Sequence, residues 1–558
     1  MKYPDLLNHD ISRVGLRESR MYNLIAGKLV TDIVRTSLGP RGMEKVYIDI
    51  LGEETITKHG GAFLRKVDVD HPAAKAVIEA VNTVDTHVGD GTVSTAVLIG
   101  SMLQNAKQMS NMGISTTTII RGYERCLDYA LDAVNEIKIK ANIKNQKTMR
   151  DLLVTCLEGK SIFESHDDST KIVDIILEAI LSVANLEKNQ INIDDIKIEE
   201  KSGNSNDTEL VRGVVIDKTI DSSSMPKVIE NAKILLINEP LETFRTKTES
   251  EIEITSPEQM RMFTNQENSN LLELVKKIEE CGARVVISRK GINEFVQAEL
   301  AKKGIITMRR VKFNDLWWLE KATGAKTCES LEKIGQTELG FSTNVYEKKI
   351  GVDRMVFVEL GKDAKAVTLL LRATSKRQLD EFHRNVLNAF YVLRNFIENP
   401  YIVYGSGSSE WKIAQMSKEK ALFLEDKEQI VVEKFAESLE EISLTLAHNV
   451  GMNVLDTLAE LKTRDQTKWW GIDHVHRKIK NVSSSQVIET VSVKQQVLKT
   501  AVETTNMILN VDDVFMKDLI DNTHCHIDGT VHAHHDGGKA HNHFEQEGLE
   551  QRQMHHYY

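Results

Sequence analysis

The stretch Val88-Gly89-Asp90-Gly91-Thr92 joins two apolar runs with helical spacing, residues 72–81 and 93–99. Its two glycines let the backbone come close to a ligand, and the helix that follows presents free N–H groups at its start. Asp90 lies between the glycines, where a carboxylate can hold the magnesium ion that accompanies a nucleotide. The stretch therefore predicts a phosphate cradle, although a plain turn before a helix can have the same sequence.

Two further glycine loops lie far from the first along the chain. They are Leu38-Gly39-Pro40-Arg41-Gly42 and Tyr404-Gly405-Ser406-Gly407-Ser408. None of the three loops ends in the Gly-Lys-Ser or Gly-Lys-Thr of a Walker A motif. Each loop taken singly predicts only a turn, whereas the three together favour a nucleotide site.

The bulk composition is that of an ordinary globular protein. The chain has 558 residues, of which 41% are hydrophobic and 27% charged. This length exceeds what one hydrophobic core organises and predicts about three or four domains. The net charge of −11 argues against a nucleic-acid partner.

No segment predicts a membrane helix or an export signal. None approaches the roughly 20 consecutive apolar residues that a spanning helix needs, and Met1–Asp5 has no hydrophobic leader. The five cysteines follow no pairing pattern, as expected of reduced thiols. We therefore expect a cytoplasmic protein without a membrane partner.

The spacing of apolar residues predicts helical blocks near both ends of the chain and an α/β middle. Short runs of buried-strand type occupy 228–237, 285–288 and 305–308, and they predict an α/β insert near residues 212–356. The segments that join this insert to the helical ends predict a third, smaller unit. The predicted helical blocks cover residues 16–40, 72–140, 430–463 and 488–510.

Several motifs, in a fixed order and spacing, carry a family resemblance. Leu38–Met43, His71–Lys75 and the Gly-Asp-Gly-Thr tetrad resemble the group II chaperonins, which are the archaeal thermosome and its eukaryotic cytosolic relatives. The resemblance spans about residues 10–520. It continues through Gly213–Lys218, Ile254–Met260, Lys321–Ala325, Leu446–Gly451 and Met507–Asp513.

The resemblance implies a mixed α and α/β fold with three domains. A mostly helical equatorial domain that binds ATP would comprise residues 1–140 and 391–522. A small intermediate hinge domain would comprise 141–211 and 357–390. An α/β apical domain with a helical protrusion, which binds substrate proteins, would comprise 212–356.

The resemblance also implies ATP and Mg²⁺ as ligands. Asp90 would hold the Mg²⁺, and Lys160 would sense the terminal phosphate from the intermediate domain, because an ammonium pairs with that phosphate only when it is present. The implied nucleotide-binding residues are Gly39, Pro40, Asp90, Gly91, Thr92, Lys160, Gly405, Gly407 and Asp473.

The chain departs from the family pattern at both hydrolytic carboxylates. The family's Thr-Asn-Asp-Gly-Ala segment corresponds here to Thr57-Lys58-His59-Gly60-Gly61, so His59 replaces an aspartate. The second aspartate corresponds to Asn388. Phosphoryl transfer to water needs a group that orients and deprotonates the nucleophile, and a neutral amide cannot take the proton. We therefore expect ATP to bind but to turn over slowly or not at all.

A client surface is predicted in the apical region. The resemblance places Met260, Met262 and Phe263 on the helical protrusion, and flexible methionines adapt to many partners. Leu271 and Leu274, further along the same segment, are equally well explained as packing against the domain itself.

The last residues, 523–558, have a different composition. Nine of the 18 histidines lie there and aliphatic residues are rare, so we expect a disordered tail. Imidazoles at this spacing can bind nickel, zinc or copper, and an inert solvated tail explains the composition equally well. The candidate ligands are His524, His526, His532, His534, His541 and His543.

The leading hypothesis is a subunit of a double-ring chaperonin that encloses non-native proteins. Its partners would be clients and identical or homologous subunits, and active neighbours in a hetero-oligomer would supply hydrolysis. One alternative is a structural or scaffolding subunit on the same fold that does not hydrolyse ATP. The other is a metal-handling protein that acts through its histidine-rich tail.

Overall fold

The structure is a computed structural model of the whole chain. It describes residues 11–14, 16–158, 166–242, 256–330, 332–333, 338–361, 364–425, 427–511, 514–517, 523–525 and 531–533.

The helices confirm the predicted helical ends of the chain, with breaks at the glycine loops. In chain order they are α1 (Leu16–Arg35), α2 (Gly60–Lys66), α3 (Pro72–Val88), α4 (Thr92–Asn111), α5 (Thr116–Ile137), α6 (Gln146–Leu157), α7 (His166–Val183), α8 (Pro257–Glu280), α9 (Glu294–Lys302), α10 (Phe313–Thr323), α11 (Lys376–Glu398), α12 (Ser408–Ala421), α13 (Lys427–Val450), α14 (Val454–Thr463) and α15 (Val491–Asn510).

The longest strands lie in the middle of the chain, where the sequence predicts an α/β insert. In chain order the strands are β1 (Ile11–Val14), β2 (Lys45–Ile48), β3 (Glu54–Thr57), β4 (Ile139–Lys140), β5 (Ile196–Ser202), β6 (Glu209–Val211), β7 (Gly213–Ile216), β8 (Val228–Ile237), β9 (Val285–Ser288), β10 (Ile306–Met308), β11 (Thr327–Cys328), β12 (Gly340–Ile350), β13 (Asp353–Glu359), β14 (Val367–Ala373), β15 (Tyr401–Tyr404), β16 (Trp470–Asp473), β17 (Lys478–Asn481), β18 (Ile488–Thr490), β19 (Val514–Lys517), β20 (Thr523–Cys525) and β21 (Val531–Ala533).

A helical bundle is built from elements at both ends of the chain. Apolar faces of α3, α4, α5, α12, α13 and α15 enclose one hydrophobic core. Tyr123 lies at its centre and donates a hydrogen bond from its hydroxyl to the Met102 carbonyl at 2.9 Å. Neither end of the chain provides this core by itself, so the two helical blocks form one unit.

A second hydrophobic core is formed mainly by the segments that join the helical bundle to the α/β middle of the chain. Helices α6, α7 and α11 pack against a sheet of order β5-β14-β6, in which β5 and β14 are parallel. Helix α11 runs unbroken to Glu398 and its buried face remains in this core through Ile397. The predicted boundary at residue 390 therefore falls inside a helix.

The middle of the chain forms a seven-stranded sheet of order β10-β9-β8-β12-β13-β7, with β11 beside β8. Strands β8, β9 and β10 are parallel, whereas β12 and β13 run antiparallel to their neighbours. Alternate residues of β8 enter two different cores, Ile234 and Leu236 on one face and Leu235 and Ile237 on the other. Both faces are therefore covered, as expected of a parallel sheet with crossover helices.

These three architectures confirm the predicted mixed α and α/β fold. The predicted boundary between residues 356 and 357 falls inside β13, because the antiparallel pairing of β12 with β13 continues to Glu359.

The described residues of the terminal segments, 1–22 and 511–558, form a separate unit. Within it β1 pairs antiparallel with β19, with Ile11 opposite Lys517. Strands β20 and β21 pair antiparallel inside the predicted tail, a hairpin that the composition does not predict.

Candidate functional site

Two glycines make the turn between α3 and α4. Gly89 ends α3 at φ 71° and Gly91 precedes α4 at φ 83°, both in the left-handed region. A Cβ on Gly91 would lie 2.6 Å from a methyl group of Val497, so the packing excludes a side chain there as well. Gly91 provides no side-chain cap for α4, and the first N–H groups of this helix are therefore left for another acceptor.

The second glycine loop is fixed in place by contacts with α13. Gly39 has φ 81°, and a Cβ there would lie 2.4 Å from a methyl group of Leu446. The Asn449 amide donates to the carbonyl of Leu38 at 3.0 Å, which ties the loop to the end of α13. The family-like segments 38–43 and 446–451 thus support one another in space.

The third loop precedes α12 in the same way that the first precedes α4. Gly407 has φ 76°, and its carbonyl accepts a hydrogen bond from the Ser443 hydroxyl at 2.8 Å. The Ser406 carbonyl accepts the N–H of Ile472 at 3.1 Å, which brings the β16–β17 hairpin to the loop.

The three loops line one cleft with about 1180 Å³ of empty space, including its open mouth. Among the predicted nucleotide-binding residues, the cleft is lined by Gly39, Pro40, Asp90, Gly91, Thr92 and Gly407.

Two of the predicted residues do not line the cleft. Gly405 lies directly before Ser406, which does line it. Asp473 accepts the N–H groups of Val475 and His476 and contacts the His476 ring at 2.9 Å, so its carboxylate closes the hairpin turn. Burial would raise the pKa of Asp473, but these bonds from His476 and Val475 lower it below its usual value. Lys160 lies outside the described residues.

The donor set of the cleft suits a nucleotide with its magnesium ion. The uncapped start of α4 offers N–H groups to phosphate, and Asp90 offers a carboxylate whose Oδ1 accepts the Gly91 N–H at 2.8 Å. Mg²⁺ usually takes one or two protein carboxylates and completes its shell with phosphates and water. The residues present therefore fit both groups.

The structure adds a buried charge cluster that the sequence analysis missed. The ammonium of Lys494 on α15 contacts Glu410 on α12 and lies 2.6 Å from Glu489 on β18, and all three residues line the cleft. Burial lowers the pKa of Lys494, but the two carboxylates outweigh it and raise the pKa overall. Burial raises the pKa of Glu489, and Glu410 and Asp90 raise it further against the effect of Lys494. The three residues are 84 positions apart at most, and no local sequence pattern links them.

The contacts of His59 prevent its ring from acting as a general base. Its Nδ1 accepts the N–H of Ala62 at 3.1 Å and caps α2, so the ring proton of the neutral imidazole is on Nε2. Nε2 lies 3.1 Å from Oδ1 of Asp85, which also contacts Arg65 at 2.7 Å. Burial would raise the pKa of Asp85, but His59 and Arg65 lower it below its usual value. Nδ1 of His59 is thus occupied and Nε2 carries the ring proton, although Nε2 completes no hydrogen bond among the described residues, so neither nitrogen is available to deprotonate water.

Asn388 lies on the face of α11 that contacts Thr57 and Val88. Two turns before it, Glu381 accepts a hydrogen bond from the Thr57 hydroxyl at 2.8 Å. Two turns after it, the Asn395 amide donates to the Val88 carbonyl at 3.1 Å. Residues seven apart share a helix face, so Asn388 lies between these two contacts. It is buried, and its Nδ2 has no hydrogen-bond partner among the described residues.

The predicted client residues are exposed on α8. Met260, Met262 and Phe263 retain 56%, 71% and 43% of their accessible surface. Leu271 and Leu274 on the same helix are buried in the core behind the sheet, which confirms the packing explanation for these two leucines.

The tail histidines are only partly described. His524 and His532 are opposite one another in the β20–β21 hairpin, and the other four candidate ligands lie outside the described residues. Within the described part of the chain, no group of three or more His, Cys, Asp or Glu side chains is arranged to hold a metal ion. No described helix is long and apolar enough to cross a membrane.

Comparison with known proteins defines the class. The model of the TCP-1/cpn60 chaperonin family matches residues 30–518. The chain therefore belongs to the TCP-1/cpn60 chaperonin family.

Within that family its relatives are group II subunits. It is 38% identical over 503 residues to a thermosome subunit of Methanopyrus kandleri, covering 89% of this chain and 92% of the relative. It is 37% identical over 520 residues to thermosome subunit alpha of Aeropyrum pernix, covering 92% and 94%. A thermosome subunit of Pyrococcus horikoshii is 39% identical over 505 residues, covering 89% and 91%. These similarities confirm the group II resemblance drawn from the motifs.

Proposed function

We propose that this chain is a subunit of a cytoplasmic double-ring chaperonin that binds ATP and encloses non-native proteins. One observation carries the nucleotide part of the proposal: three glycine loops, near residues 40, 90 and 406 of the chain, meet at one cleft beside the uncapped start of α4. Family membership carries the assembly part, because its relatives are named as subunits. The nucleotide's Mg²⁺ would be held by Asp90, and Lys160 and Asp473 stay predicted contributors.

We further propose that this subunit hydrolyses ATP slowly or not at all. The support is the state of the two substituted positions. Nδ1 of His59 accepts a backbone N–H and Nε2 carries the ring proton, and Asn388 cannot accept a proton. Homologous subunits with intact carboxylates would then supply hydrolysis in a mixed ring.

Client binding is proposed for the exposed part of α8. Met260, Met262 and Phe263 are exposed apolar side chains near the start of this helix, where flexible methionines can adapt to different partners. Metal binding by the tail stays a prediction from its composition.

The proposal is tested by assembly and client capture on the full chain. Light scattering and electron microscopy should show ring-sized particles, and these should suppress aggregation of a chemically unfolded test protein. Rings that form but leave aggregation unchanged would support the scaffolding alternative instead. A chain that stays monomeric at micromolar concentration, alone and with a co-expressed thermosome subunit, would contradict the proposal.

A further inference from the structure

The cleft lies between two parts of the fold that have separate hydrophobic cores. On one side are the glycine loops of the helical bundle and the β16–β17 hairpin, whose Ile472 shares a small core with Trp411 of α12. On the other side is the end of α6, where Thr155 and Glu158 line the cleft, and α6 packs in the second core. A ligand in the cleft would therefore lie between the two parts, and its release depends on the contacts that join them.

His474 and Glu158 join the two parts at the mouth of the cleft. Nε2 of His474, in the turn of the hairpin, lies 3.3 Å from Oε1 of Glu158, the residue that follows α6, and both residues line the cleft. The contact is attractive when Nε2 carries a hydrogen, whether the ring is neutral or protonated. Glu158 is exposed, whereas Glu410 and Lys494 of the same cleft are buried. The contact therefore lies at the solvent end of the cleft.

The contact is separate from the other joint between the two parts. Helix α11 joins them through the Asn395 amide, which donates to the Val88 carbonyl at 3.1 Å, and neither of these residues lines the cleft. Within the described part of the chain, Glu158 is the carboxylate within ion-pair distance of the His474 ring. The two parts can therefore stay joined through α11 when the contact at the mouth is broken.

We propose that the contact between His474 and Glu158 is a latch that closes the mouth of the cleft and slows the release of bound nucleotide. This inference rests on the proposed nucleotide site and concerns how long the ligand stays there. A side-chain contact that must break before the ligand leaves adds to the barrier for dissociation. An exposed pair contributes little energy, so the latch changes the residence time of the nucleotide by a modest factor.

The test is stopped-flow displacement of a fluorescent ADP analogue by excess unlabelled ATP from the assembled full-length protein, in buffer with Mg²⁺. His474→Ala and Glu158→Ala should each raise the dissociation rate by about two- to fivefold, as expected for the loss of a pair near the surface. The double variant should be no faster than the single variants, because the latch is lost once either partner is removed. Thermal unfolding of each variant checks that it is folded.

His476→Ala is the matched control. His476 lies in the same turn and also contacts a carboxylate, that of Asp473, but it is exposed and does not line the cleft, so its loss should leave the dissociation rate unchanged. The latch is overturned if either single variant releases nucleotide at the wild-type rate. It is also overturned if His474→Ala speeds release as much in the Glu158→Ala background as in the wild type, because His474 would then act on the ligand directly. Absence of nucleotide binding by the wild type would instead contradict the proposed nucleotide site itself.

Discussion

His59 and Asn388 stand at the two positions where the family resemblance implies hydrolytic carboxylates. His59 caps α2 through Nδ1 and contacts Asp85 through Nε2, so its side chain stabilises the local structure. Asn388 keeps a polar amide on the buried face of α11 but cannot take a proton. The surrounding loops keep Gly39, Gly91 and Gly407 in the left-handed conformation that lets a backbone approach a phosphate closely.

Restoring both carboxylates should restore hydrolysis. We expect the double variant His59→Asp/Asn388→Asp to raise the single-turnover rate by on the order of 10²-fold or more, because a positioned base typically contributes this much. Each single variant should recover far less, since groups that act as a unit are not additive. The measurement is quenched-flow conversion of bound ATP to ADP.

Asn385→Asp is the control for that experiment. Asn385 is buried one turn before Asn388, and neither of its amide atoms has a hydrogen-bond partner among the described residues. It matches no hydrolytic position of the family, so a carboxylate there should not raise the rate. A gain from Asn385→Asp equal to that of the double variant would contradict the assignment.

Gly91 is required for two separable reasons. Gly91→Ala should lower the free energy of unfolding by about 1–2 kcal/mol for the left-handed backbone and by about 1–3 kcal/mol more for the overlap with Val497. Gly113 has the same φ of +83° and open space around it, so Gly113→Ala should show only the backbone part. Denaturant unfolding measures both. Equal losses at the two sites would contradict the packing argument.

The glycine loops were predictable from sequence because their function depends on local backbone conformation. The cluster of Lys494, Glu410 and Glu489 was not predictable, because its members come from three elements that meet only in the folded bundle. Lys58 and Glu158 also line the cleft, next to motifs that the sequence analysis recognised. Their charge was the sequence feature that could have indicated a place in the site.

At the scale of elements, Lys494 ties α15 to α12 and β18. Lys494→Met should lower the free energy of unfolding by about 3–5 kcal/mol, because it leaves Glu410 buried without a counterion. Lys28→Met removes an exposed partner of Asp32 and should cost less than about 1 kcal/mol.

The loss in Lys494→Met should depend on pH in a defined direction. The pKa of Glu489 is already raised in the folded state, and removal of the ammonium raises it further. The penalty for the ionised carboxylate is present above the folded pKa and disappears as pH falls toward the unfolded value of about 4.3. The destabilisation should therefore be smaller at pH 5.5 than at pH 8. A loss independent of pH would contradict this account.

We expect the two halves of helix α8, exposed at its start and buried toward its end, to have separate roles. The triple change of Met260, Met262 and Phe263 to Ser should reduce suppression of client aggregation, with little change in unfolding, because these side chains are exposed. Leu274→Ala should instead lower the free energy of unfolding by about 2–5 kcal/mol, because the leucine is buried. Unchanged suppression by the triple variant would exclude this patch as a client surface.

At the scale of the whole molecule, periodicity predicted the architecture, and the domain boundaries stay predictions. The helices at the ends and the short strands in the middle could be predicted because burial of one or both faces of an element leaves a regular spacing of apolar residues in the sequence. The limits at residues 356 and 390 fall inside β13 and α11, which continue across them without glycine or proline. The β20–β21 hairpin was missed because its composition gives no apolar alternation.

The central claim is that the assembled protein holds ATP without hydrolysing it. The most direct test is a single-turnover experiment on the purified assembly, with ATP binding measured on the same preparation. The account predicts saturable binding and recovery of the bound nucleotide as ATP. Rapid conversion to ADP that Asp90→Asn abolishes would contradict it, because the water would then be activated without either missing carboxylate.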